Sequence, residues 1–202
     1  MRRVFATLCM LLCATSLSAQ SAHTYLDELE RSLGGRYAFT IAVKVGDAED
    51  MLYGRVMVDG DSYYMSLEGM EVYSDGKLRY EINNERREVT EDRVDLSSHD
   101  LLTNPTRAFR FAPEEFDMSL RFSQNDEVAV VELRPRDEAL GITSIALAMV
   151  SDDSDRLRPR QLLYNYDGES VVISFEEYAF AEWSLPRWDE DDYKTYDIVS
   201  FL

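Results

Sequence analysis

The chain has 202 residues, of which 39 are Asp or Glu and 21 are Lys or Arg, so its formal net charge is −18. A charge this negative argues against binding to nucleic acid or to anionic membrane surfaces. Both cysteines, Cys9 and Cys13, stand near the start, which excludes disulfides and thiolate metal sites from the rest of the chain.

The first residues have the features of a secretory signal peptide. Two arginines precede an apolar run over residues 4–17, and Ala19 stands before the expected cleavage site. The run is shorter than the roughly 20 residues that a membrane span needs. Leu12 precedes Cys13 where lipid attachment requires a small residue. The sequence therefore predicts a signal peptide over residues 1–19, export to the periplasm, and a mature protein that is neither lipidated nor stably inserted in a membrane.

The mature chain, residues 20–202, is predicted to form one domain that begins with an amphipathic helix. Tyr25, Leu26, Leu29 and Leu33 have helical spacing, and the pair Gly34-Gly35 would end the helix. The helix is therefore predicted to run from residue 22 to residue 33.

Beyond the helix, apolar residues recur at every second position, which is typical of strands with one buried face. Turn signals separate the strands at Gly60-Asp61, Asp75-Gly76 and Asp167-Gly168. The pattern predicts about ten short strands, with alternation that includes residues 37–45, 55–58, 78–82, 116–122, 145–149, 171–175 and a last strand at 196–201. We expect a mainly β fold in which a second sheet, barrel closure or helices cover the apolar face.

The region from residue 94 to residue 113 interrupts this alternation. Asp95 to Leu102 contains serines suited to capping, which predicts a short helix. Asn104-Pro105 would end that helix, because the residue before proline avoids helical geometry.

No motif for catalysis or metal binding is found in the sequence. His23 and His99 are not spaced as metal ligands and are predicted at the surface, and the run Asp152 to Asp155 lacks the glycine and glutamate of a calcium loop. Paired carboxylates, such as Glu176-Glu177 or residues 189–192, leave a secreted hydrolase open as an alternative. We therefore predict no catalytic residues, no metal and no cofactor.

Residues 54–90 carry a resemblance to a known family. They read GRVMVDGDSYYMSLEGMEVYSDGKLRYEINNERREVT: a strand that begins with glycine, a turn, an aromatic strand, and the hairpin Ser74-Asp75-Gly76-Lys77 followed by Tyr80. This stretch resembles LolA-like carriers of outer-membrane lipoproteins. The N-terminal helix, the strand over residues 37–45 and the last strand occur in the family's order.

The resemblance implies an unclosed antiparallel β-barrel whose apolar concavity is covered by the N-terminal helix and a short helical lid. By this resemblance Val56 and Val58 face the concavity, and Tyr64 is an aromatic residue that lines it. The remaining predicted lining residues are Phe39, Ile41, Met65, Phe116, Met118, Leu120 and Phe122. The predicted lid residues are Leu96, Leu101, Leu102 and Phe109. Gly60 and Asp61 stand where the family's best-studied members have an arginine and a proline, so their lid contact does not carry over.

The function implied is that of a monomeric periplasmic carrier, without catalysis, that binds the acyl chains of lipoproteins and ferries them towards the outer membrane. Its partners would be acylated lipoproteins, an inner-membrane release machinery and an outer-membrane acceptor. A non-catalytic sensor or ligand-binding domain on the same fold is the main alternative, since fold alone does not decide function.

Overall fold

The protein is described by a computed structural model that covers residues 21–124, 127–137, 141–179 and 183–202. The predicted signal peptide lies outside these residues. An N-terminal helix covers residues 21–33, and short 3-10 helices lie at Pro105–Arg107 and Glu190–Tyr193. The strands are β1 (Arg36–Val45), β2 (Leu52–Asp59), β3 (Ser62–Leu67), β4 (Met70–Ser74), β5 (Leu78–Asn83), β6 (Glu88–Arg93), β7 (Phe116–Phe122), β8 (Ala129–Pro135), β9 (Ile142–Ser151), β10 (Leu157–Tyr166), β11 (Ser170–Ala179) and β12 (Asp197–Ser200).

The strands follow the order β12-β6-β5-β4-β3-β2-β1-β11-β10-β9-β8-β7 in one sheet. β12 pairs with β6 in parallel. The pairs from β1–β2 to β5–β6 in chain order, and the pairs β1–β11, β9–β10, β8–β9 and β7–β8, are antiparallel. The first and last strands of the order do not pair, so the sheet is not closed. The predicted fold class, a mainly β open barrel with an N-terminal helix, is confirmed.

Residue contacts divide the chain into two compact units. Unit 1 contains the described residues up to Ser32 and those from Phe111 to Ser170. Its helix places Leu26 and Leu29 in the core, at 2% and 0% exposure, as the helical spacing predicted. The strands of unit 1 align their apolar residues on one face, because direct cross-strand partners share a face: Leu120 lies opposite Val131, which lies opposite Leu147.

Unit 2 contains residues Leu33–Arg110 and Val171–Leu202. Its strands β1 to β6 form an antiparallel meander, and β11 returns beside β1. Gly54 is the first residue of the 54–90 stretch, and a side chain does not fit at this position. A Cβ at Gly54 would lie 2.1 Å from the carbonyl oxygen of Ser66 on β3. Gly54 therefore lets β2 and β3 approach closely at the start of the hairpin.

Three expectations from the sequence are corrected. The residues between Asp95 and Leu102 form turns rather than a helix, because Asp95 and Asp100 accept hydrogen bonds from the backbone N–H groups of Ser97 and Leu102, at 2.8 Å each. Such side-chain bonds compete with helical backbone pairing. His99 is 2% exposed rather than at the surface. The described chain has twelve strands where about ten were predicted.

Candidate functional site

One face of strands β1, β2, β3 and β11 in unit 2 is apolar and buried. Phe39 lies opposite Val56, which lies opposite Met65, and Val58 lies opposite Tyr63. Because direct partners share a face, these side chains form one continuous surface. We define this surface, the inner face, by eight residues that are each at most 7% exposed: Tyr37, Phe39, Ile41, Val56, Val58, Tyr63, Met65 and Phe175.

Residues 95–109, here named the cover segment, lie against the inner face. The Phe109 ring centroid is 6.0 Å from that of Tyr37, 6.1 Å from that of Phe39 and 5.7 Å from that of Phe175. Two tyrosine hydroxyls of the inner face also donate to backbone carbonyls of the segment. Tyr37 reaches Pro105 at 3.1 Å and Tyr63 reaches Thr103 at 3.4 Å.

The cover segment holds its own shape through bonds centred on the buried Asn104. Its side-chain amide donates to the carbonyl oxygen of Asp95 at 2.9 Å, and its Oδ1 accepts from the Thr106 hydroxyl at 2.7 Å. The Asn104 N–H donates to the carbonyl oxygen of Asp100 at 2.8 Å. Arg107 adds a hydrogen bond to the carbonyl oxygen of Leu96. A segment bonded internally in this way is suited to move as one piece.

The four predicted lid residues fall into two groups. Leu101 and Phe109 are buried, at 0% and 3% exposure. Leu102 is half-buried and Leu96 is 63% exposed. The structure therefore places Leu101 and Phe109 beneath the segment and Leu96 on its outer surface.

Tyr64 does not lie on the inner face. It stands opposite Met57 on β2 and Tyr73 on β4, on the other side of the sheet from Met65. Adjacent residues of a strand point to opposite faces, so Tyr64 and Met65 cannot line the same surface. Tyr63 was not among the predicted lining residues, although the two-residue turn at Gly60-Asp61 already implied its pairing with Val58.

The four predicted residues of β7 share one face within unit 1. Phe116 is buried, Met118 and Leu120 are half-buried, and Phe122 is 45% exposed. The Phe122 ring lies edge-on to Tyr25 of the N-terminal helix, with centroids 5.7 Å apart. The exposure therefore increases along the strand towards the helix contact.

The other face of the unit 2 meander carries a cluster of tyrosines around Glu71. The hydroxyls of Tyr64, Tyr73 and Tyr193 each lie 3.1 to 3.2 Å from a Glu71 carboxylate oxygen. Trp188 stacks on Tyr80 with ring centroids 4.5 Å apart, and on Tyr193 with centroids 4.9 Å apart. These contacts fasten the segment before β12 to the sheet.

The tyrosines of this cluster should ionise at a higher pH than free tyrosine. Burial and, next, the Glu71 carboxylate raise the pKa of Tyr64 from 10.0 to about 12. Burial also raises the pKa values of Tyr73 and Tyr193. Because the folded pKa exceeds the unfolded one, the stabilising contribution is fully present below pH 10.0 and is lost as the pH rises through about 12.

We therefore expect a biphasic tyrosinate absorbance titration in the folded protein. A free tyrosine titrates near pH 10, whereas the pKa of Tyr64 is raised to about 12 and the pKa values of Tyr73 and Tyr193 are raised above 10.0. Glu71→Gln should move the titration of the cluster tyrosines to lower pH, because it removes a negative charge beside the phenols. A single phase near pH 10, while circular dichroism still reports the native fold, would contradict the cluster.

Two cavities of unit 2 are small. One of about 200 Å³ is lined by Ser62, Ser74, Asp75, Tyr80, Leu185, Arg187 and Trp188. The other, of about 70 Å³, touches Phe39, Arg55 and Glu177. Ligand pockets for drug-sized molecules measure roughly 300–1,000 Å³ and are mostly apolar. Both of these cavities are smaller than such pockets.

Within the described residues, no group of three or more His, Cys, Asp or Glu is arranged to hold a metal ion. Asp152, from the acidic loop, instead forms ion pairs with Arg158 and Arg156. In the same part of the chain, no helix has the length and apolarity needed to cross a membrane.

No family model and no curated protein matches this sequence. Among solved structures, the chain is similar to an uncharacterized conserved protein from Thermus thermophilus, with a TM-score of 0.59 and 15% identity over 89% of this chain and 99% of that chain. It also matches a lipoprotein-sorting domain from Vibrio parahaemolyticus (TM-score 0.42, 12% identity, 86% and 97% coverage) and LprF from Mycobacterium bovis (TM-score 0.48, 13%, 84% and 98%). At 15% identity, the likeness to the Thermus thermophilus protein is one of fold alone.

Proposed function

We propose that this protein is a periplasmic carrier that binds the acyl chains of lipoproteins on the inner face of unit 2. The observation that carries the proposal is the arrangement of the cover segment. A buried apolar surface lies beneath residues that fold on themselves and reach the sheet through Phe109 and two tyrosine hydroxyls. Withdrawal of the segment would expose apolar side chains for a ligand.

The energetics suit a carrier that must also release its load. Each CH₂ group transferred from water to an apolar surface is worth about 0.8 kcal/mol, so the many CH₂ groups of an acyl chain supply free energy to displace the cover segment. The cover returns when the chain leaves, because Leu101 and Phe109 are otherwise exposed to water. The carrier needs no covalent chemistry for this exchange.

The sequence supports the choice of lipoproteins as cargo. Residues 54–90 resemble LolA-like carriers, and the first residues have a signal peptide's pattern. In this proposal the protein works as a monomer, takes lipoproteins from an inner-membrane release machinery and delivers them to an outer-membrane acceptor.

A dye-displacement titration tests the proposal. We expect the folded protein to bind an apolar fluorescent dye and a triacyl lipopeptide to displace it, whereas the same peptide without acyl chains should not. Binding of both peptides with equal affinity would favour a sensor that recognises protein. Absence of dye and lipopeptide binding by a folded sample would overturn the carrier proposal.

A further inference from the structure

The last strand of unit 2 presents a backbone edge. β12 ends the strand order beside β6, and the N–H groups of Asp197 and Phe201 donate to the carbonyl oxygens of Arg87 and Glu91 at 3.0 and 2.9 Å. Backbone groups alternate between the two sides of a strand. Those of Ile198 and Ser200 therefore point away from β6, towards the side of β12 on which none of the described strands lies.

The side chains of this edge are also exposed and apolar. Ile198 is 47% exposed, Val199 39%, Phe201 65% and Leu202 58%. Natural edge strands are usually protected by lysine, proline or a bulge, since an unprotected edge pairs with other chains. β12 is short and its one charged residue is Asp197, but it has no lysine, proline or bulge and carries two β-branched residues, which favour strand pairing.

β12 is held firmly enough to act as a template. Before it, Trp188 stacks between the rings of Tyr80 and Tyr193. The Tyr196 hydroxyl donates to Asn84 Oδ1 at 3.0 Å, and the Arg87 guanidinium lies 5.6 Å from the Tyr196 ring centroid. A fixed strand loses little conformational entropy when a further strand adds to it.

The charge around β12 indicates what kind of chain would add. Residues 189–200 contain five acidic residues and one basic residue, Lys194. The β6 residues that pair with Asp197 and Ser200 are Glu88 and Glu91. A second copy of this chain would bring the same negative charge, whereas a basic segment would be attracted.

We propose that the free edge of β12 binds an extended, basic segment of a partner protein as an additional strand. Such strand addition derives affinity from main-chain hydrogen bonds and specificity from alternate side chains. The N–H and C=O groups of Ile198 and Ser200 would pair with the partner's backbone. Its apolar side chains would contact Val199 and Phe201, which share a face of the strand, and its basic ones would face the acidic surroundings.

A synthetic peptide in which lysine and valine alternate is a suitable probe. We expect the wild-type protein to bind it, with affinity that falls as salt rises, and to bind a glutamate–valine peptide about tenfold less tightly or worse. Ser200→Pro removes an outward N–H that β6 does not use, so binding should fall about tenfold. The matched variant Ser200→Ala keeps the N–H and should bind like the wild type.

Amide chemical shifts provide a readout that does not depend on the variants. Addition of the peptide to the wild-type protein should move the N–H resonances of Ile198 and Ser200 more than those of β5. Equal binding by Ser200→Pro and Ser200→Ala would overturn the proposal, as would equal affinity for the two peptides or unmoved Ile198 and Ser200 resonances. A dimer in sedimentation that Ser200→Pro abolishes would also overturn it, because the occupant would then be a second copy.

Discussion

Replacement of Phe39 by alanine is expected to lower the free energy of unfolding by about 3–5 kcal/mol. Phe39 is 1% exposed and is surrounded by four rings, with centroid distances of 5.0 Å to Tyr37, 5.1 Å to Phe175, 5.3 Å to Tyr178 and 6.1 Å to Phe109. Alanine would lose both the buried area and the edge-to-face contacts, each worth about 0.5–1.5 kcal/mol. Urea unfolding should show a lower midpoint with an unchanged slope.

Phe122→Ala provides the matched control for this change. Phe122 is 45% exposed and has one described ring contact, with Tyr25, so the same deletion should cost less than about 1 kcal/mol. If Phe39→Ala lowers the free energy of unfolding by no more than Phe122→Ala does, the inner face is not a packed core.

Removal of the two tyrosine hydroxyls that hold the cover segment should tighten lipopeptide binding by about tenfold. In the double variant Tyr37→Phe/Tyr63→Phe both rings remain, but the hydrogen bonds to Pro105 and Thr103 are lost. A typical hydrogen bond contributes about 0.5–1.5 kcal/mol, and 1.4 kcal/mol corresponds to a factor of ten in affinity. The covered state loses these two hydrogen bonds, which the open state does not contain.

Dye displacement by a triacyl lipopeptide measures this change. Tyr64→Phe is the control, because its hydroxyl bonds Glu71 on the opposite face of the sheet, and its affinity should equal that of the wild type. Unchanged or weaker lipopeptide binding by the double variant would mean that the segment does not compete with the ligand.

The alternation of apolar residues was sufficient to predict the sheet and much of the inner face. Phe39, Ile41, Val56, Val58 and Met65 are all buried on one side of unit 2. The same two-residue period places Tyr64 on the opposite side. Tyr64 was predicted to line the concavity because the family resemblance was followed at this position instead of the strand's alternation.

The cover segment shows where local patterns were insufficient. Its serines and aspartates suit helix caps, but they bond to the nearby backbone in turns just as readily. The buried Asn104, which bonds Asp95 and Thr106, decided between these alternatives, and a bond between residues nine apart leaves no periodic signal in a sequence.

Long-range pairing accounts for the other features that were missed. A strand over residues 196–201 was predicted, but its parallel pairing with β6 was not. The stacking of Trp188 on Tyr80 and the contact of Tyr193 with Glu71 join residues more than a hundred positions apart. The sequence does not indicate which of these residues meet.

Hydrogen exchange of the wild-type protein with and without a triacyl lipopeptide shows whether the cover segment leaves the inner face when acyl chains bind it. Backbone amides of residues 95–109 should lose protection when the lipopeptide is added, while those of β1, β2 and β3 should keep or gain it. If residues 95–109 are as protected as these strands and stay so at saturating lipopeptide, the segment does not move aside and the proposed binding surface is wrong.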